Sequence, residues 1–104
     1  DTEGYSSAWE IGDWHDDMAW ILWRTGESLQ SVQHCEAAYA GYMDTEDRDS
    51  ASRALCMLAR LHVERGERQD ALAACARVRD LLSEPQWAGH DALEFVASVE
   101  ETLS

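Results

Sequence analysis

The chain contains no lysine. All eight of its positive charges are arginines, set against 21 acids, for a net charge of −13 over 104 residues. A surface this acidic repels phosphate backbones and anionic lipid, which excludes direct nucleic-acid binding and anionic membranes as partner classes. Proline occurs once, at Pro85, and no stretch alternates apolar with polar residues between turn signals, so β structure has no support. Long apolar runs are also missing. The best, Met18 to Trp23, falls well short of the roughly 20 residues a membrane helix needs. The three cysteines, Cys35, Cys56 and Cys75, are odd in number and form no CxxC pair, which points away from a disulfide framework and towards a reduced, cytoplasmic setting. No basic and apolar leader opens the chain, and its start at Asp1 reads as a domain taken from something longer.

Catalytic signatures are equally scarce. GxGxxG, GxxxxGK, GxSxG and HExxH are all missing, and His15, His34, His62 and His90 are scattered without metal-ligand spacing. His15, Asp16 and Asp17 are consecutive, so on a helix their side chains fan out by about 100° each and do not converge. Cys35 and Cys75 sit on apolar stripes, where cysteine behaves as a small hydrophobe. No enzyme activity, metal or cofactor is expected.

What is present is helical periodicity. Five helices are expected: about 13–25, 27–42, 50–66, 67–83 and 88–103. Residues 1–12 form an N-terminal segment in which Trp9 and Ile11 are candidates to pack on the first helix. The first helix carries Met18, Ala19 and Leu22 on one stripe. The second carries Leu29, Val32, Cys35, Ala38 or Tyr39, and Tyr42. The third carries Leu55, Leu58, Ala59 and His62. The fourth carries Ala71, Leu72, Cys75, Val78 and Leu82, and the fifth Ala92, Phe95, Val96, Val99 and Leu103. An acidic loop, MDTEDRD at 43–49, separates the second helix from the third, and Asp49 or Ser50 caps the third.

Gly26-Glu27 and Gly66-Glu67 divide helix from helix in the same way. Glycine supplies the left-handed residue that ends one helix, and glutamate enters the first turn of the next, where the helix dipole favours it. Helices joined so closely lie antiparallel. A shift of 40 residues brings Ala19 onto Ala59, Gly26 onto Gly66, Glu27 onto Glu67 and Cys35 onto Cys75. The chain therefore reads as one all-α domain: hairpin 13–43, hairpin 50–84 and a capping helix 88–103.

Residues 52–85 resemble the tetratricopeptide repeat family. Leu55, Leu58, Ala59 and His62 stand at its first-helix packing spacing, Gly66 at its turn, Ala71 and Val78 at its second-helix contacts, and Pro85 near its end. The first unit, about 12–45, matches through Ala19 and Gly26, with Ser31 at the usual alanine. The period of 40 exceeds the family's typical ~34, and the acidic loop is expected to absorb the excess. The resemblance implies a right-handed solenoid fragment of two stacked hairpins and a protein–protein interaction role, as in the scaffold, sensor and transcriptional-regulator proteins that carry such repeats.

Such hairpins line a groove with their first helices. The face of the third helix opposite its packing stripe carries Arg53, Cys56, Arg60 and Val63. The equivalent face of the first carries Asp13, Asp16, Trp20 and Trp23. The tryptophans offer apolar area and Arg53 and Arg60 can fork onto a carboxylate, so a peptide or partner surface is the expected ligand. Two alternatives stand beside this. The tryptophans line the pocket of a small all-α enzyme or binding protein for an aromatic or cationic small molecule, or they are buried by packing and self-association as a homodimer.

Overall fold

The computed structural model describes residue 18 and residues 20–104. The expectations for segment 1–12, for Trp9, Ile11, Asp13, His15, Asp16 and Asp17, and for Ala19 lie outside the described residues. All regular structure among those described is helical. The first helix, α1, is described over 20–24. It is followed by α2 (Ser28–Asp44), α3 (Arg48–Glu64), α4 (Arg68–Leu81), a 3₁₀ turn at Pro85–Trp87 and α5 (Asp91–Leu103). No described helix is long and apolar enough to cross a membrane.

Three bends of one design connect α1 to α4. At each, a residue with positive φ follows the helix: Gly26 at 88°, Glu46 at 58° and Gly66 at 76°. Its N–H returns to the carbonyl three residues back, from Gly26 to Trp23, Glu46 to Met43 and Gly66 to Val63, each at 3.1 Å. The next N–H returns five residues: Glu27 to Leu22 at 2.8 Å, Asp47 to Tyr42 at 2.9 Å and Glu67 to His62 at 2.8 Å. This pair of bonds is the Schellman closure, which satisfies carbonyls that a helix end would leave unpaired. The same acidic residue opens the next helix, its carbonyl accepting from Ser31, Ala51 or Ala71.

The bend at Glu46 replaces the expected acidic loop. Helix α2 continues through Asp44, and the cap of α3 is Asp47, whose side chain accepts from the Ser50 N–H at 3.1 Å, rather than Asp49 or Ser50. Only residues 45–47 separate the helices. No loop remains to absorb an excess over the family period, so the unit of 40 is two equal helix-and-bend steps of 20.

Equal steps put like residues at like depth. Ser31, Ala51 and Ala71 are fully buried; so are Cys35, Leu55 and Cys75; and Ala38, Leu58 and Val78 are at most 1% exposed. A small residue four positions after each cap lets the backbones approach, and the larger ones fill the space behind. Burying Leu58 alone stabilises the fold by about 2–3 kcal/mol. Some expected stripe members stand away from the core: Leu29 is 57% exposed, and Leu72 and Leu103 are only half-buried.

The step fails after α4. Pro85 lacks the N–H that a continuing helix needs, and a 3₁₀ turn follows. Helix α5 restarts at Asp91, not near residue 88, and its inward places, Ala92, Val96 and Val99, fall one position out of step. His90 caps it, Nδ1 accepting from the Ala92 N–H at 3.0 Å. An accepting Nδ1 leaves the proton on Nε2, which donates to Asp49 Oδ1 on α3 at 2.5 Å. The Trp87 ring stands edge-on to the imidazole at 5.8 Å. Arginines tie down two helix ends: Arg48 Nη1 donates to the Leu81 carbonyl at 2.9 Å, and Arg68 Nε to the Leu103 carbonyl at 2.8 Å.

Candidate functional site

Odd and even helices share opposite faces. On the even side, Arg77 of α4 donates through both terminal nitrogens to Glu36 of α2, at 3.2 and 3.0 Å, and its guanidinium lies 4.7 Å from the Tyr39 ring centre. On the odd side, α1, α3 and α5 border a furrow. Its larger hollow, about 370 Å³, is lined by Trp20, by Arg53, Cys56, Met57 and Arg60, and by Asp91, Ala92 and Phe95. A second, of about 160 Å³, continues it with Arg60, Val63, Phe95, Ser98, Val99 and Thr102. Arg60 and Phe95 belong to both, so the two hollows form one open channel running along α3 and α5.

The residues singled out from sequence meet here. Arg53, Cys56, Arg60 and Val63 recur on one face of α3 over nearly three turns and line the channel in order. Trp20 borders its larger end, 44% exposed. Trp23 is a supporting residue. Half-buried, it packs on the core, donates from Nε1 to Glu64 at 2.8 Å, stands edge-on to Trp20 at 5.1 Å, and carries the Arg60 guanidinium 4.5 Å above its ring. Arg60 is thus held over an aromatic face while it remains exposed to solvent, where it can meet a carboxylate. Asp16 lies outside the described residues.

The α5 side of the channel was not foreseen. Phe95 reads from sequence as an inward residue of a capping helix, yet it forms a channel wall together with Asp91, Ser98 and Thr102. Phe95 still packs against the core, half-buried as expected, while Asp91, Ser98 and Thr102 of the same stripe are exposed. The signal available was the spacing of Asp91, Phe95, Ser98 and Thr102, which is that of one helical face.

Chemical reactivity is low. Burial pushes the Cys56 thiol up to about 12, with Cys75 adding to the effect. Its Sγ points to the Ala92 carbonyl at 3.9 Å, so it is protonated at neutral pH and is no nucleophile. Cys35 and Cys75 are fully buried. His62, expected as a hydrogen-bonded core residue, is half-buried and bonds through Nδ1 to Glu67 at 2.8 Å. With Asp70 these two form a group whose ligand atoms lie within 4.8 Å of one another. Arg65 Nε already donates to the same Glu67 oxygen at 3.0 Å, supplying a cation to that carboxylate. The His62 hydrogen bond, followed by that of Arg65, holds Glu67 below the ordinary carboxylate range. The cluster is best understood as a lock on the third bend.

No family model, curated protein or solved structure matches the chain.

Proposed function

We propose that the chain is a protein–protein interaction module, a tetratricopeptide-like scaffold or sensor domain of a larger cytoplasmic protein, and that it holds a partner peptide in the furrow along α3 and α5. The observation that carries this reading is the continuity of the two hollows through Arg60 and Phe95, with an exposed tryptophan at one end. An exposed aromatic beside a stacked arginine is the composition of a binding hot spot. The channel is open along its length, which favours a chain over an enclosed small molecule. Self-association is weakened by charge, since two copies would each bring −13.

Support for the family resemblance is mixed. Gly66, Ala59 and Ala71 hold the expected places in bend and core. The unit of 40 is longer than the family's ~34, and its two halves are alike. The interaction role rests on the furrow, not on the family.

The test is selection from a displayed peptide library against the wild-type chain, followed by binding to Trp20→Ala and Arg60→Glu variants. Selected peptides are expected to lose at least about tenfold in affinity to either variant, the effect of a modest hot spot. Peptides that bind both variants as tightly as the wild type would rule the furrow out as the site.

A further inference from the structure

The two sides of the furrow differ in their charged groups: arginines on α3, each loosely paired with an acid one turn away, and acids on and beside the α5 wall. On α3, Arg53 and Arg60 stand seven residues apart, both exposed. On α5, Asp91 lines the larger hollow. Glu94 and Glu101, also seven apart, fall by helical spacing on the solvent side of the same wall. These three acids have no ionic partner among the described residues. The dipole of α5 favours Asp91 and Glu94 in its first turn, but it opposes Glu101 near the last, so the acidic row is longer than helix capping requires. Between the walls lie Cys56 and Val63, again at an interval of seven.

That interval selects the form of the occupant. Seven residues along α3 span about 10.5 Å, or roughly three residues of an extended strand. In a strand, residues three apart face opposite ways, so one edge cannot serve both arginines. A helix presents the same edge every seven residues and can serve both.

We propose that the furrow takes an amphipathic helix with acids along one edge of its apolar stripe and bases along the other, and that the wall charges fix the direction in which it lies. Turning a helix end for end exchanges its edges. Only one direction therefore sets its acids on Arg53 and Arg60 and its bases on Asp91, Glu94 and Glu101. This rests on the furrow being the partner site. The net charge of −13 by itself would favour a helix basic on both edges; the wall pattern favours the mixed one.

The experiment uses three designed helical peptides with the same apolar stripe: one with an acidic and a basic edge, one acidic on both edges, and one basic on both. The mixed peptide is expected to bind roughly tenfold more tightly than either other at low salt, as several exposed pairs acting together would give, with the advantage shrinking as salt rises. Arg53→Glu with Arg60→Glu should shift the preference to the doubly basic peptide. A nitroxide on the mixed peptide's N-terminus should broaden amides at one end of the furrow, and exchanging the two edges should move the broadening to the other end. A doubly basic peptide that binds the wild type as well as the mixed one, or broadening at both ends, would overturn the charge-set direction while leaving the furrow as a site. Failure of all three to bind a chain whose circular dichroism remains helical would overturn the site as well.

Discussion

The two faces of the molecule use arginine differently. On the even face, Arg77 spans from α4 to α2, bonded at both ends of its fork and stacked on Tyr39, so its donors are committed between helices. On the odd face, the carboxylates that Arg53 and Arg60 meet among the described residues lie within their own helix, Asp49 at 3.4 Å and Glu64 at 3.7 Å. Single-nitrogen contacts of this length are weak, and an incoming carboxylate can displace them. Both Arg77 and Arg60 rest on an aromatic ring of a neighbouring helix, but only Arg77 also bonds a carboxylate across helices with both terminal nitrogens. Both faces rest on one core, which is the first place to separate them.

Leu58→Ala should cost about 2–5 kcal/mol, because Leu58 is buried in the middle helix and its truncation leaves a cavity. Both faces should be lost in one transition, read by urea unfolding. If furrow binding survived unfolding of the rest, the faces would not share a core. The arginines should then part company. Arg77→Ala is expected to lose about 1 kcal/mol of stability, from an exposed bidentate pair and a ring contact, without altering peptide binding. Arg53→Ala should stay within roughly 0.5 kcal/mol of wild type in stability yet weaken peptide binding. Equal stability losses in the two variants would erase the distinction.

Bends and junction also differ in how far the sequence reveals them. Gly26 and Gly66 are visible because glycine is the usual residue at positive φ. Glu46 holds the same conformation with a side chain, and the surrounding MDTEDRD reads as loop, so the second bend and the 20-residue step stayed hidden. The α3 side of the furrow was legible because its stripe is the complement of a clear packing stripe. The α5 side was not. Its facing depends on the slip at Pro85 and on the His90 cap reaching Asp49, a tertiary contact that no local pattern encodes.

Glu46→Gly follows from this contrast. A side chain in the left-handed region costs about 1 kcal/mol, so the substitution should raise stability by up to that amount if the bend is the same closure as at Gly26 and Gly66. A loss of stability in urea unfolding would show that the Glu46 side chain does something the other two bends do without.

The smallest effect belongs to pH. The Arg79 hydrogen bond holds Glu100 below its ordinary value of 4.5, so Glu100 stabilises the fold above that pH and ceases to do so as pH falls through its lower folded value. The pair is exposed, so its contribution is roughly 0.5 kcal/mol or less. Glu100→Gln should be slightly less stable than wild type near neutral pH, with the gap closing below pH 4.5. A gap that widened on acidification would reverse the sign assigned to this contact.

The difference between the faces is tested most directly by amide chemical shifts during titration with the mixed-edge helical peptide. The changes should fall on Trp20, Arg53, Cys56, Arg60, Asp91 and Phe95 and leave Tyr39, Arg77 and Asp80 unmoved. Changes centred on the second group, or spread evenly over both, would contradict a binding face made by the odd helices.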